Sequence, residues 1–217
     1  FDEYHPVDIA LEAEDLEDED LETFVSLVSH DNMALLFESA EDNLSARMMA
    51  YFTDDDLIDI FAHMETSIVA DLLGVLSTVR RKAILSSMKS AEKNTLKMIL
   101  SFDEESAGGI MTTNFIALKE NLTAEEAIKK LRAISPETEI IDEIFVTDDY
   151  HRLQGIVTIR DLLVSNAKTA LRDILEEVDF YVYGTDDQEV AANLFSKYEL
   201  DILPVVNSNM AILGVIT

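Results

Sequence analysis

The chain has 217 residues, enough to bury the cores of one or two domains. The absence of cysteine excludes disulfides, thiolate metal sites and cysteine nucleophiles. The 16 basic and 44 acidic residues give a net charge of -28, which repels nucleic acids and attracts cations, so we expect no nucleic-acid partner.

Neither end of the sequence resembles the end of a complete protein. The chain begins at Phe1 rather than Met, and it stops at Thr217 inside an apolar, strand-like run. No apolar run reaches the roughly 20 residues that cross a bilayer. We therefore expect a piece of a longer protein.

Acidic residues dominate the first part of the chain. Residues 12–22 read EAEDLEDEDLE, and we interpret residues 1–19 as an acidic lead-in that is either a frayed helix or disordered. Such a charge density opposes compactness unless cations offset it. Residues 80–97 instead hold six bases and one acid, which favours a helix face that balances its acidic neighbours.

Residues 20–104 carry a helical pattern. Apolar sets that span two to three turns recur about every twelve residues, and polar breaks separate them, which predicts an all-helical, solenoid-like domain. The methionines are interpreted as core residues. The predicted N-caps are Asp31, Asn43, Thr53, Thr66 and Ser90. We interpret Asp54, Asp55 and Asp56 as residues of a helix start rather than as metal ligands.

The remainder of the chain contains an internal repeat. IFVTDDYHRLQGIVT at 144–158 aligns without a gap with LPVVNSNMAILGVIT at 203–217, and each segment predicts two strands joined by a turn. Strand character begins at residue 140 in the first copy. Two capping boxes are predicted, Thr123 with Glu126 and Thr185 with Gln188. Each would start the helix that comes before the two strands of its copy. Each copy is too small to be stable alone, so we expect the two to pack together.

These residues carry a resemblance to known families. MTTNFIALKENLTAEEAIKKLR together with EIFVTDDYHRLQGIVTIRDLL resembles a CBS domain, and residues 171–217 resemble a second one that lacks its final helix. The helical region, with ADLLG at 70–74 and AGGIMT at 107–112, resembles the N domain of MgtE-type magnesium transporters. The implied fold class is α + α/β, with an all-helical superhelical domain at 20–104 and CBS domains at 105–168 and 169–217.

The resemblance implies a Mg2+-sensing regulatory region rather than an enzyme. In that family such a region lies at the cytoplasmic face of the membrane, forms a homodimer through its CBS domains, and closes the pore of its own transmembrane domain. That transmembrane domain would follow Thr217. Mg2+ prefers oxygen ligands, and ions between two acidic domains would cancel their repulsion and clamp them together.

The resemblance also implies a set of Mg2+ ligands. Asp71 matches an N-domain carboxylate, Gly109 and Ser196 match backbone carbonyl ligands, and Glu199 stands where an aspartate is usual. A further family aspartate, about one turn before Asp71, is missing here. The other candidates are Glu65, which could replace it, Glu38, and the pair Asp187 and Glu189, which match acids near the helix that enters the membrane.

A second ligand, ATP, is implied by the CBS pair. The motif Gly–apolar–apolar–Thr–x–x–Asp runs from Gly155 to Asp161, and its Asp161 suits ribose hydroxyls whereas Thr158 and Arg160 suit phosphate. In the alternative interpretation Asp161 caps a helix and Gly155 serves a turn. The alternative function is an adenine-nucleotide-sensing CBS module joined to a helical protein-interaction domain. The sequence shows no P-loop and no activated nucleophile.

Overall fold

The computed structural model describes residues 4–134 and 142–217. The chain divides into two compact units, Phe1–Ser101 and Phe102–Thr217. Within the described residues, no helix is both long enough and apolar enough to cross a membrane.

The first unit is all-helical, as predicted. Its described helices are α1 (Pro6–Glu14), α2 (Asp18–Leu27), α3 (His30–Ser39), α4 (Asp42–Met49), α5 (Asp54–Phe61), α6 (Thr66–Val75), α7 (Thr78–Ser87) and α8 (Ser90–Ile99). Their N-caps are His5, Glu17, Ser29, Glu41, Thr53, Glu65, Ser77 and Lys89. Each N-cap follows the previous one by twelve residues, so the predicted apolar period is a structural repeat.

The helices of this unit pack in two alternating rows. α1, α3, α5 and α7 contact one another in succession, and so do α2, α4, α6 and α8. This arrangement is typical of a helical solenoid, in which every repeat packs mainly on its neighbours. Met33, Met48 and Met49 are fully buried, which agrees with their interpretation as core residues.

Two local features of this unit bear on the sequence interpretation, which left the lead-in open as a frayed helix or disordered. Residues 6–14, inside the expected lead-in, form α1, whose Ala10 and Ala13 are buried against the helices that follow. Of the predicted N-caps only Thr53 has that role, where it forms a capping box with Asp56. The other four lie one or two positions inside their helices, because the true caps precede them at the twelve-residue spacing.

The second unit contains two short sheets. Its elements are α9 (Ala107–Ile110), β1 (Ile116–Lys119), α10 (Ala124–Ile134), β2 (Glu143–Thr147), β3 (Leu153–Thr158), α11 (Ile159–Val164), the 3-10 turn Leu171–Asp173, β4 (Val182–Tyr183), α12 (Gln188–Tyr198), β5 (Leu203–Val206) and β6 (Ile212–Ile216). The sheet orders are β1-β2-β3 and β4-β5-β6, and in both the first pair is parallel and the second antiparallel. Residues 140 and 141, where strand character was predicted, lie outside the described residues.

The two sheets repeat each other residue by residue. Val146 pairs with Gly155 in one sheet, and Val205 pairs with Gly214 in the other. In each case the register shifts directly after the valine. The turns place His151 at φ 63° and Met210 at φ 62°, which are equivalent positions in the gap-free alignment. The predicted duplication is therefore confirmed down to single backbone angles.

The two repeats also exchange their leading segments. Ile156 of β3 pairs with Glu176, which lies before β4 in the second CBS domain, and Val215 of β6 pairs with Thr112, which lies before β1 in the first. Gly155 permits this approach, since a Cβ there would lie 2.4 Å from the carbonyl oxygen of Glu176. Gly155 thus lies inside a strand, not in the turn that the alternative interpretation assigned to it. The exchange explains how two small repeats form one unit.

Candidate functional site

The predicted N-domain ligands are all at the surface of the helical unit. Asp71 lies on the exposed face of α6, whose opposite face buries Val69 and Leu73. Glu65 is the half-buried N-cap of the same helix, so about two helical turns separate it from Asp71. Glu38 is exposed on α3, whose main contacts are with α1 and α5.

The segment Ala107-Gly108-Gly109, which forms most of α9, lies directly against the start of α12. Ser106 caps α9 and pairs with Asp187, and the backbone N–H of Ala107 donates to the carbonyl of Asp186 at 2.7 Å. Gly109 is the third residue of α9, where a Cβ would lie 2.3 Å from the carbonyl oxygen of Asp103. A glycine is therefore required here by close backbone packing, independently of any ligand.

The four candidate ligands on α12 fall into two separate pairs. Asp187 is the N-cap and accepts a 2.8 Å hydrogen bond from the backbone N–H of Glu189, whereas Ser196 lies in the last turn and Glu199 is the C-cap. The rise of an α-helix places Asp187 and Glu199 about 18 Å apart along the axis. One ion cannot bind to both pairs. Glu199 has the left-handed backbone angles φ 51° and ψ 48°.

The start of α12 differs from the predicted capping box. Asp187 caps it instead of Thr185, whereas the box of Thr123 with Glu126 in the first repeat is present. The acid at 187 is favoured there because an ionised carboxylate accepts backbone N–H groups and faces the positive end of the helix dipole. This capping role is compatible with a ligand role, since one carboxylate can accept several bonds.

Neither unit holds a preformed cage of metal-binding side chains in its described residues. No three Asp, Glu or His side chains there come together as a metal ligand set would. Mg2+ keeps several of its waters and commonly takes one or two carboxylates, so exposed single carboxylates and helix-end carbonyls are chemically suited to it.

The nucleotide motif is ordered by its own hydrogen bonds. Thr158 caps α11, and Asp161 accepts from both the backbone N–H of Thr158, at 2.9 Å, and its hydroxyl, at 2.5 Å. These bonds lower the pKa of Asp161 below its ordinary value. Arg160 is exposed. The capping role of Asp161 is thus present, and both bonds go to the same oxygen, Oδ2.

Sequence reasoning missed a second acid, which lies beside this motif. Glu143, the first residue of β2, pairs across the strands with Thr158. Its Oε2 atom is buried and has no hydrogen-bond partner among the described residues. Burial, followed by the charges of Asp201 and Asp142, raises the pKa of Glu143. The nucleotide motif does not include this residue, because its neighbours in space are set by strand register and by the second repeat.

Two cavities lie elsewhere in the CBS-like unit. One of about 920 Å³ is lined by Tyr150, Arg152, Asn207 and Asn209, where the two hairpin turns meet. Another of about 440 Å³ is lined by residues that include Phe102 and Tyr183. Neither is lined by the nucleotide motif.

Comparisons with known proteins agree with both units. The model of the MgtE intracellular N domain matches residues 4–105, and that of the CBS domain matches residues 107–167 and 171–217. The magnesium transporter MgtE of Thermus thermophilus is 33% identical over 156 residues, which cover 68% of this chain and 34% of that protein. The magnesium transporter MgtE of Bacillus subtilis is 23% identical over 210 residues, which cover 86% and 47%. The chain thus spans less than half the length of these relatives.

A solved structure extends the similarity over the full length. The cytosolic domain of the Mg2+ channel MgtE, crystallised in complex with ATP, matches with a TM-score of 0.88 at 26% identity. The match covers 100% of this chain and 88% of that one.

Proposed function

The chain belongs to the MgtE family, because it joins an MgtE intracellular N domain to a pair of CBS domains, and from this we propose that it senses Mg2+ as the regulatory region of a magnesium channel or transporter. Mg2+ bridges the acidic N and CBS domains and so closes the pore of the parent protein. The order of the two domain types carries this proposal, since CBS domains alone are found with many functions.

Electrostatics supports the proposed mechanism. Residues 1–79 contain 21 acidic residues and one base, so the N domain repels other acidic surfaces when cations are scarce. A sensor of cellular Mg2+ binds at roughly millimolar affinity, about 4 kcal/mol per ion. Several such ions shift a two-state equilibrium steeply if they bind one state better. We propose Asp71, Gly109, Ser196 and Glu199 as ligands, with Glu38, Glu65, Asp187 and Glu189 as further candidates.

The proposed setting follows from the same family. The regulatory region lies at the cytoplasmic face of the cell membrane, forms a homodimer through its CBS domains, and acts on the transmembrane domain of its own full-length chain. Analytical ultracentrifugation of this chain tests the dimer, and sedimentation as a monomer at all concentrations would contradict it.

Small-angle scattering during a Mg2+ titration tests the sensing mechanism. The radius of gyration should fall as Mg2+ rises to tens of millimolar, and the midpoint should move to higher Mg2+ in Asp71→Asn and Glu199→Gln. The controls Asp59→Asn and Glu177→Gln remove one exposed charge each from the same units and should leave the midpoint in place. NaCl of matched ionic strength separates binding from screening. An unchanged radius of gyration would exclude the mechanism.

ATP is a second proposed ligand. Two observations favour it: the related MgtE cytosolic domain was crystallised with ATP, and this chain holds Thr158, Arg160 and Asp161 in the matching motif. The alternative function, a nucleotide-sensing module, predicts that ATP rather than Mg2+ raises the melting temperature. Calorimetric titration with Mg2+ and then with ATP distinguishes the two.

A further inference from the structure

Glu143 is a half-buried residue with one buried carboxylate oxygen, and the proposed mechanism does not use it. Three side-chain polar atoms in the described residues are buried without a hydrogen-bond partner, and Glu143 Oε2 is the only carboxylate oxygen among them. Burying one oxygen of an ionised carboxylate without a partner is costly, so this atom calls for a structural or functional explanation.

The strand register places Glu143 at the edge of the nucleotide motif. It lies opposite Thr158 in the antiparallel pair of β2 and β3. Directly opposed residues project from the same face of a sheet, with Cβ atoms about 5 Å apart. Thr158 in turn donates its hydroxyl to Asp161. Glu143, Thr158 and Asp161 are therefore consecutive neighbours on one side of the unit.

The charges that face Glu143 are negative. Asp142 precedes it on β2, Asp201 approaches from the loop between α12 and β5, and Asp161 lies beyond Thr158 at the start of α11. Arg160, beside Asp161, is exposed to solvent. With all four acids ionised this edge repels phosphate, which conflicts with the phosphate-binding role proposed for Thr158 and Arg160.

Protonation of Glu143 reduces this repulsion. The neutral acid removes one negative charge and supplies an O–H donor next to the motif. Its raised pKa, caused first by burial and then by Asp201 and Asp142, brings the protonated form closer to neutral pH. The proposed proton uptake involves Glu143 alone and does not require protonation of the other three acids. Hydrogen bonds from Thr158 keep Asp161 ionised.

We infer that Glu143 makes nucleotide binding depend on pH: an anionic adenine nucleotide binds to this chain together with one proton, which Glu143 takes up. This inference rests on the proposed binding of ATP. The site therefore accepts nucleotide more readily as the pH falls, and the ionised form of Glu143 excludes it.

Calorimetric titration with ATP in EDTA, from pH 5.5 to 8, tests the inference on the whole 217-residue chain. The variants are Glu143→Gln, which mimics the neutral acid, and Glu177→Gln, which removes an exposed charge in the same unit. The ratio of the wild-type affinity to that of Glu143→Gln cancels the titration of ATP itself. As the pH rises through the range in which Glu143 ionises, we expect this ratio to fall about tenfold per pH unit. Titration in buffers of different ionisation enthalpy should show proton uptake by the wild type that Glu143→Gln lacks.

The outcomes separate this inference from the proposal on which it rests. ATP binding with a ratio that does not vary with pH, or with equal proton uptake by both proteins, overturns the role of Glu143 and leaves the nucleotide site intact. Binding by the wild type and loss of binding in a folded Glu143→Gln also overturns it. Absence of ATP binding to all three proteins at every pH overturns the nucleotide site itself. Glu177→Gln should behave as the wild type.

Discussion

Asp148 and Asn207 occupy equivalent positions in the two CBS repeats and form the same turn. The Oδ1 atom of Asp148 accepts from the backbone N–H groups of Tyr150 and Arg152 at 2.8 and 2.9 Å. Oδ1 of Asn207 accepts from Asn209 and Ala211 at 2.9 and 3.0 Å. Both turns then reach a residue with positive φ. The turn thus requires a side-chain acceptor and not a charge.

This equivalence predicts the effect of neutralising Asp148. Asp148→Asn keeps the two backbone bonds, as Asn207 does, and loses the ion pair with Arg152 at 2.6 Å. Asp148→Ala loses all of these contacts at a buried position. In thermal melts Asp148→Ala should therefore unfold at a clearly lower temperature than Asp148→Asn.

The pH dependence of Asp148 supplies the control. Burial favours its protonated form, but hydrogen bonds from Arg152 and Tyr150 outweigh burial and lower its pKa. Its contribution to stability is present above the ordinary aspartate pKa and is lost as the pH falls through the lowered one. Asn207→Ala removes the two equivalent backbone bonds but no ion pair, so near neutral pH it should lower the melting temperature less than Asp148→Ala does. The loss that it causes should not change as the pH falls through the pKa of Asp148. Equal melting temperatures of Asp148→Ala and the wild type would contradict the role of the turn.

Arg80 connects three elements of the helical domain. Its guanidinium group donates to Asp54 at 2.9 Å, to the carbonyl of Met49 at 2.9 Å and to that of Phe52 at 2.5 Å. It satisfies the end of α4 and holds the start of α5. Arg80→Ala should lower the free energy of unfolding by about 2–3 kcal/mol in urea denaturation, since charged hydrogen bonds are lost at a partly buried site.

Two variants test whether geometry rather than charge is responsible. Arg80→Lys retains the charge but lacks the planar set of donors, so it should recover only part of the loss. Lys82→Ala removes a neighbouring exposed charge and should change stability by less than about 0.5 kcal/mol. Full recovery by Arg80→Lys would show that the charge alone is sufficient.

The fold was accessible from the sequence where a pattern repeats. The twelve-residue helical period and the gap-free alignment of the two hairpins both arise because buried positions recur at fixed intervals along the chain. The structure confirms both patterns. The N-caps were less accessible, because Glu41, Glu65 and Lys89 are not residues that favour this position. Their positions follow from the packing period instead of from local preference.

The candidate site was accessible only in part. Thr158 and Asp161 are three positions apart in a local motif that the sequence reveals, and the structure contains a capping box between them. Glu143 and Asp201 are brought together by the packing of the two repeats, which a single sequence does not encode in any short pattern. The proposed Mg2+ ligands were implied by the family resemblance, since surface carboxylates carry no distinguishing spacing.

Gly155 and Gly214 predict a shared sensitivity to added volume. A Cβ at Gly155 would lie 2.4 Å from the carbonyl oxygen of Glu176, and one at Gly214 would lie 2.7 Å from that of Thr112. Both oxygens belong to the exchanged segments, so Gly155→Ala and Gly214→Ala should each destabilise the CBS pair by about 1–3 kcal/mol in urea denaturation.

Hydrogen exchange locates the damage from these substitutions. Gly155→Ala should weaken protection of the amide of Ile156, which bonds to Glu176, and Gly214→Ala that of Val215, which bonds to Thr112. Gln154→Ala changes an exposed residue of the same strand and should leave both amides protected. Unchanged protection and stability in the glycine variants would mean that the exchanged segments can shift to accommodate the methyl group.

The capping box of Thr158 predicts the acidity of Asp161. The hydroxyl and backbone N–H of Thr158 stabilise the ionised carboxylate, so the folded-state pKa lies below the ordinary value. Thr158→Ala removes the hydroxyl and should cost about 1 kcal/mol of stability at neutral pH, whereas Thr158→Ser should cost little. In NMR titrations of the side-chain carboxyl, the pKa of Asp161 should rise in Thr158→Ala and stay low in Thr158→Ser.

Because a lowered pKa stabilises the fold only where Asp161 is ionised, the stability difference between wild type and Thr158→Ala should shrink as the pH falls through that pKa. An Asp161 pKa that is the same in all three proteins would show that the backbone N–H alone sets it.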